Sequence, residues 1–412
     1  MNAARSPVPV PVDILVRPGP ALLQGIEDGP WLAAHRERYG ALPRLGLDEL
    51  TALVGDVGLR GRGGAAFPFA TKLAAAAAGR RPVVVVNLAE GEPASGKDMA
   101  LALTRPHLVL DGAYAAAAAL GARELHVVLP GDRPVAAERM RAALRERPER
   151  PERLRVQEHT ASPRFVSGQA RAVVELLEGR ENLPVTAWQP EAAAGLRGRP
   201  TLLSNAETWA HVGLLVLRGA ADYRRLGTTG EPGTTLLTVT AQGSVPQVHE
   251  VELGSPLRDV LPDDDGSPGI VGGFHGSWAT AETLSRARVS VPGLQALGIP
   301  LGAGVVLLPG PGSCPLQLTS RIVDHLAGQS AGRCGPCLNG LPALAGALRG
   351  VLHGTESPAR VEQLCGLVVR RGACAHPDGT ARLVRSMLLT FPDEIAAHAR
   401  GGCATRPVEV AS

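Results

Sequence analysis

The run Pro82–Asn87 (PVVVVN) constrains the fold of this chain more than any other segment. Four successive valines leave neither face of an extended strand polar, and such a strand must lie between two layers of helix. The flanking sequence supplies those layers. Asp111–Leu120 reads as a helix, Leu125–Leu129 as a second buried strand, Pro134–Arg145 as an amphipathic helix and Leu154–Gln157 as a third strand. Strand and helix alternate, which predicts a parallel α/β sheet. Upstream, Asp48–Val54 reads as a short helix capped by Asp48.

Proline-rich residues 1–50 read as an extended N-terminal arm packed on the body, and residues 51–230 as the α/β domain. Beyond it the pattern changes. Thr235–Thr240, Gln247–Glu252 and Gly304–Leu308 are short β-runs separated by turns, predicting a small separate domain over 231–312. The helical period returns in Leu316–Leu326, Leu341–Leu352, Ala359–Val369 and Thr380–His398. That predicts a C-terminal four-helix bundle over 313–400 that carries the cysteines. Residues 401–412 read as a frayed tail.

Composition excludes several classes. The 412 residues exceed one domain, and a net charge of +3 gives no basis for nucleic-acid binding. Fifty glycines and 35 prolines without a triplet period, with 44% apolar residues, describe a loop-rich globular protein rather than collagen or a disordered chain. No apolar stretch reaches the ~18 residues of a spanning helix. The opening MNAARSPVPVPV has prolines where a secretory leader needs an apolar core. A cytoplasmic protein with reduced cysteines is therefore expected.

Lysine is confined to Lys72 and Lys97; every other basic side chain among the 42 is arginine. Where arginine replaces lysine nearly everywhere, a surviving lysine marks a place that needs a compact ammonium charge. Lys72 follows Gly58–Gly64, a loop with four glycines and with Arg60 and Arg62. Glycines let backbone N–H groups approach a phosphate closely. Gly61-x-Gly63-x-x-Ala66 fits the dinucleotide fingerprint loosely, but a helix precedes it where the fingerprint requires a strand, which disfavours a standard NAD-binding turn. Lys97 follows Asn87-Leu-Ala-Glu-Gly-Glu-Pro93, which continues directly from the buried strand. The carboxyl end of a parallel strand is where α/β proteins bind ligands, and Asn87, Glu90 and Glu92 there suit a flavin ring or a ribose. Cys334-Gly-Pro-Cys337 with the distant Cys374 suits an iron–sulfur cluster or zinc. Cys314, Cys365 and Cys403 lie in no motif and read as small buried apolar residues.

Together these segments resemble the flavoprotein F subunit of respiratory complex I, a module shared with NAD-reducing hydrogenases and NAD-dependent formate dehydrogenases. Gly58–Leu73 (GLRGRGGAAFPFATKL) resembles the family's GLRGRGGAGFPTGxKW, and Asn87–Met99 (NLAEGEPASGKDM) its NADExEPGTxKDR. Phe165–Gly179 resembles YxCGEE…LEG, Pro200–Thr208 resembles PTxVNNVET, and Ser330–Gly340 (SAGRCGPCLNG) resembles SCGxCxPCxxG. The order is right throughout, over about 55–400. The resemblance implies a Rossmann-like FMN domain, a β-grasp domain of the soluble-ligand-binding type and a four-helix iron–sulfur domain.

It also implies roles. Gly61, Arg62, Gly63, Gly64 and Lys72 would hold the FMN phosphate and ring, and Asn87, Glu90, Gly168 and Asn205 its isoalloxazine or ribityl side. Glu92 would act at the nicotinamide end of NADH, and Cys334, Cys337 and Cys374 would hold the cluster. Electrons would pass from NADH through FMN to the cluster, then to a partner subunit or a ferredoxin-like protein, with a membrane reached only through a complex. The departures sit at the chemistry. Ala331 replaces the first cluster cysteine, Gln169-Ala170 the double glutamate, Ala89 an acid and Ser204 the first asparagine, and Pro184–Pro190 lacks the family's lysine. With three thiols, a cluster would recruit Cys365, His376 or water at its fourth corner, or lack one iron, or the site would be empty and the bundle held by apolar packing alone. Two other functions stay open: a diverged non-catalytic electron-transfer or assembly subunit, and a zinc-stapled binding protein without flavin.

Overall fold

The computed structural model describes residues 14–147, 153–262 and 266–405. The arm is held down. Strand β1 (Leu15–Val16) is followed by a helix at Leu32–Tyr39, so the expectation of an extended arm is corrected for its described part. The next helix, Leu47–Asp56, begins where Glu49 accepts the Gly46 N–H at 2.7 Å, so Glu49 rather than Asp48 caps it.

The α/β domain has four parallel strands: β2 (Val83–Asn87), β3 (Glu124–Pro130), β4 (Arg155–Ala161) and β5 (Thr201–Asn205), in the order β4-β3-β2-β5. The valine run is buried on both faces. Val84 and Val86 enter the core with Leu108, Leu202 and Trp209, from helices Pro106–Leu120 and Ala206–Tyr223 and from β5. Val83 and Val85 pack oppositely with Val128, Val173 and Leu203, covered by helix Ala170–Leu177. Each such side chain contributes roughly 1.5–3 kcal/mol. Strand β4 runs to Ala161, beyond the Gln157 expected, because this edge strand pairs only with β3 and carries polar residues on exposed positions. Strand β5 was not expected from the sequence.

The second sheet contains β6 (Thr234–Ala241), β7 (Gln247–Glu252), β8 (Gly269–Val271), β9 (Ser277–Ala279) and β10 (Val305–Leu308). Its order is β1-β7-β6-β10-β8-β9, with the β6–β7 hairpin antiparallel and β10 parallel to β6 at the centre. A hairpin followed by a helical excursion and a last strand inserted beside the first is the β-grasp order. β1 adds to its edge in parallel with β7. The buried Glu250 of β7 accepts the N–H groups of Ala21, Leu22 and Leu23 at 2.7–3.0 Å, which fastens the arm.

The C-terminal domain is helical: Pro315–Gly328, Leu341–Leu352, Pro358–Val368, His376–Thr390 and Pro392–Ala399. The predicted helix Thr380–His398 is two helices, because Pro392 has no N–H to donate and its ring clashes with the preceding turn. The expected frayed tail is likewise corrected as far as it is described: the Thr405 N–H donates to Glu394 at 3.1 Å, and residues 406–412 lie outside the described residues. Among the described residues no helix is long and apolar enough to cross a membrane.

Candidate flavin and cluster site

The strand order places a topological switch point between β2 and β5, where the chain leaves adjacent strands for opposite sides; ligands of open α/β sheets bind in that crevice. Asn87 ends β2, Asn205 ends β5, and the two are register partners. Segments 118 residues apart in sequence thus present two amides side by side (205 − 87).

Each asparagine is locked. Asn87 Nδ2 donates to the Gly168 carbonyl at 2.8 Å, and its oxygen accepts the Ala89 N–H at 3.0 Å. Asn205 Nδ2 donates to Asp98 at 3.0 Å, and its oxygen accepts from Thr208 at 2.5 Å. The loop after β2 interlocks with the loop before helix Ala170–Leu177. A Cβ on Gly168 would stand 2.4 Å from the Ala89 carbonyl, and one on Gly91 2.1 Å from that of Phe165.

The glycine-rich loop closes on itself through Gly61 N–H to Phe67 O at 2.8 Å and reaches over the crevice. A Cβ on Gly63 would face the Asn205 side chain at 3.8 Å, so the missing side chain leaves room between loop and strand ends. Arg62 does not join this cradle. It is buried, and its guanidinium turns inward to the Thr234 carbonyl at 3.0 Å while its backbone N–H donates to Thr208.

Lys72, on helix Phe69–Ala77, hydrogen-bonds the Leu203 carbonyl of β5 at 3.3 Å. Among the described residues no carboxylate pairs with it. Burial lowers its pKa, and the Glu191 charge opposes this. A half-buried ammonium beside the switch point without an anion fits a phosphate or a flavin carbonyl. Lys97 differs: it is buried between Asp98 (2.9 Å) and Glu207 (3.1 Å). Burial opposes its charge, yet Asp98, Glu207 and Glu90 together raise its pKa.

The two glutamates are structural in position. Glu90 accepts from Ser95 at 2.5 Å and from the Asp98 and Met99 N–H groups at 3.2 Å, capping helix Lys97–Thr104. Burial and the Asp98 charge raise its pKa. Glu92 turns to the second domain, accepting Phe274 N–H at 2.9 Å and Ala94 N–H at 3.3 Å, and burial pushes its pKa up to about 8. A cavity of about 400 Å³ at the carboxyl ends of β2, β3 and β4 is lined by Glu90, Arg133, Arg164, Phe165 and His325, but not by Glu92. Sequence reasoning missed Arg133 and Arg164; their one signal is that each falls just after a strand.

Across Phe165 and Val166, the α/β domain meets the cysteine motif. Cys334 and Cys337 sulfurs lie 3.6 Å apart, and Cys374 is close enough to feel both. Burial raises the Cys337 and Cys374 thiols, whereas the N–H groups of Gly332 and Arg333 on Cys337, and of His376 on Cys374, favour the thiolates. Amides aimed at sulfur are what a thiolate-held cluster requires. The Ala331 methyl packs in the same shell, so the set offers three thiolates. Neither expected substitute supplies a fourth ligand. His376 donates through Nε2 to the Leu326 carbonyl at 2.8 Å and accepts from His275 at 3.0 Å. Cys365 is fully buried in the bundle core, its thiol pushed up to about 12 by burial. Gln169 instead reaches Cys374.

Comparison with known proteins agrees with this layout. Residues 54–214 match the Nuo51 FMN-binding domain, and residues 317–398 match the NADH-ubiquinone oxidoreductase-F iron-sulfur binding region. The chain is 30% identical to an F-type subunit of NADH-quinone oxidoreductase from Rhizobium meliloti, over 92% of its own length and 97% of that protein. The chain belongs to the F-subunit family of NADH-quinone oxidoreductases. It is 28% identical to the Escherichia coli F subunit, over 89% of each chain. Its fold superposes on the structure of a NAD+-reducing [NiFe]-hydrogenase with a TM-score of 0.83 at 26% identity, covering 93% of this chain and 67% of that one. The relatives named are subunits of NADH-quinone oxidoreductases, and this family member is an oxidoreductase.

Proposed function

We propose that this protein oxidises NADH at an FMN held in the β2–β5 crevice and hands electrons to the Cys334–Cys337–Cys374 centre, and from there to a partner subunit or a ferredoxin-like protein. The observation that carries the reading is the Asn87–Asn205 pair at the switch point beside the Lys72 ammonium, which meets the Leu203 carbonyl but no carboxylate among the described residues. When bound, FMN supplies hydride acceptance and single-electron release.

The chain's own residues would do the rest. Lys72 binds an anionic or carbonyl oxygen. Gly61, Gly63 and Gly64 admit the cofactor against backbone. Asn87 and Gly168 fix the loop that forms one wall, and Asn205 the other. Arg62, Glu90 and Glu92 position these parts rather than touch the cofactor, since each spends its side chain on backbone or on a helix cap. The domain division at about 230 and 312 then separates flavin site, connecting β-grasp unit and cluster bundle.

Calorimetric titration of FMN into flavin-free protein tests this. One saturable site is expected, lost in Asn205→Ala with the fold intact by circular dichroism. Wild-type protein that folds but takes up no FMN would overturn it. Slow use of NADH is favoured at one point: Gln169 and Ala170 offer no carboxylate to the nicotinamide, and Glu92 faces Phe274.

A further inference from the structure

The bundle contains a second heteroatom cluster, separate from the cysteine motif. Cys314 Sγ, a Glu394 oxygen, His398 Nε2 and Cys403 Sγ all lie within 4.8 Å of one another. Cys314 lies 3.3 Å from Glu394 and 3.4 Å from His398, Glu394 lies 2.9 Å from His398, and Cys403 lies 3.0 Å from Glu394. Cys314 is buried in the bundle core and Cys403 packs against it, as expected of small apolar residues, but both sulfurs also face polar side chains. We propose that these four side chains bind one structural zinc(II) ion that staples the C-terminal segment to the bundle.

The donor set is the first argument. Two sulfurs, one imidazole nitrogen and one carboxylate oxygen match the mixed ligands zinc takes tetrahedrally, and four protein ligands close the site. Zinc bonds of roughly 2.0–2.3 Å would set the ligand atoms about 3.3–3.8 Å apart. Four of the separations are 2.9–3.4 Å and all fall within 4.8 Å, so side-chain movements of about 1 Å or less would complete the site.

The surroundings are the second argument. His398 Nδ1 lies 2.8 Å from the Leu352 carbonyl, which can only accept. Nδ1 therefore carries a proton, and Nε2, facing Cys314 and Glu394, is the nitrogen left for a metal; a metal-bound histidine is commonly oriented by such a bond from its far nitrogen. Gln317 N–H donates to Cys314 Sγ at 3.3 Å, and Thr405 N–H to the second Glu394 oxygen at 3.1 Å. Two thiolates and a carboxylate exceed the zinc charge by one. The N-termini of helices Pro315–Gly328 and Pro392–Ala399, where Cys314 and Glu394 sit, offset that excess. Cys314 and Glu394 are buried, while His398 and Cys403 are half-buried, which leaves an entry path. The ligands come from three places in the chain, so one ion would tie together the start of the bundle, its last helix and the segment beyond it.

Elemental analysis of protein purified anaerobically with zinc in the medium tests the proposal. About one zinc per chain is expected, independent of iron. Cys314→Ala and Cys403→Ala should lose the zinc and keep the iron; Cys337→Ala should lose iron and keep zinc. Should the variants fail to fold, cobalt(II) exchanged into the wild-type chain should give thiolate-to-cobalt charge-transfer absorption. Zinc-free wild-type protein, zinc retained in both variants, no such absorption in the cobalt form, or a Cys314–Cys403 disulfide in fresh anaerobic protein would each overturn it.

Discussion

Lys97 and Lys72 occupy neighbouring parts of one domain and solve opposite problems. Around Lys97 the chain supplies every partner itself: Asp98 and Glu207 flank the ammonium, and Asp98 also binds Asn205 Nδ2 and the Glu207 N–H. Around Lys72 it supplies one carbonyl and no carboxylate among the described residues. A buried charge that is fully paired is architecture, and one left short of an anion is a binding site for something the chain does not contain. Rarity in the sequence thus marks the need for an ammonium without saying which use it serves.

The largest expected effect tests the architectural side. Lys97→Met strands two buried carboxylates, so it should cost about 3–5 kcal/mol of stability and lower the melting temperature of flavin-free protein. An unchanged melting temperature would dissolve the contrast. Lys72→Ala should leave that temperature nearly unchanged but weaken FMN binding by about 2–5 kcal/mol, read as flavin lost on gel filtration. Full flavin occupancy in the purified variant would remove Lys72 from the site.

The electron exit has a shortfall of its own. With Ala331 in the shell, three thiolates should hold a cluster that is labile in air, and Ala331→Cys should lengthen its lifetime. Iron and sulfide analysis with electron paramagnetic resonance before and after dithionite reads this out. Near-zero iron in anaerobic wild-type protein would move the chain toward a non-catalytic role. For NADH, each missing polar contact should cost about 1–3 kcal/mol, which places the Michaelis constant near or above the upper end of the ~1 μM–1 mM range usual for enzymes. Brisk turnover at low-micromolar NADH would refute this.

The pH dependence rests on Glu92. Its folded pKa of about 8 exceeds its ordinary value of 4.5, so between those pH values the native state holds a proton that the unfolded chain has lost. Stability should therefore fall as pH rises from about 4.5 to 8 and level off above, since it rises with pH only where the unfolded state binds more protons. Glu92→Gln should flatten that part of a denaturation profile measured at several pH values. An unchanged slope would place the pH dependence elsewhere.

Much of this was legible in the sequence because local pattern and fold agreed. The valine run of β2 reads as doubly buried from composition alone, and the glycine loop, Asn87, Lys72 and the Cys334 motif each sit in recognisable strings. What was not legible depended on distant partners. Nothing near Glu250 announces that it would bind the amides of Ala21–Leu23, or near Glu92 that Phe274 would claim it. Strand β5 was hidden because TLLSN is short and half polar. Cys314 carried no motif because Glu394 and His398 come from a helix brought up by the bundle, whereas Glu394, His398 and Cys403 lie close together in the sequence and went unread.

The central claim is that the β2–β5 crevice carries a flavin that NADH can reduce. The visible spectrum of purified protein, recorded anaerobically before and after NADH, tests it most directly. Flavin absorption bands should be present and should bleach on adding NADH, more slowly than in a member with intact nicotinamide contacts. A colourless protein that stays colourless after incubation with FMN, or bands indifferent to any concentration of NADH, would contradict it.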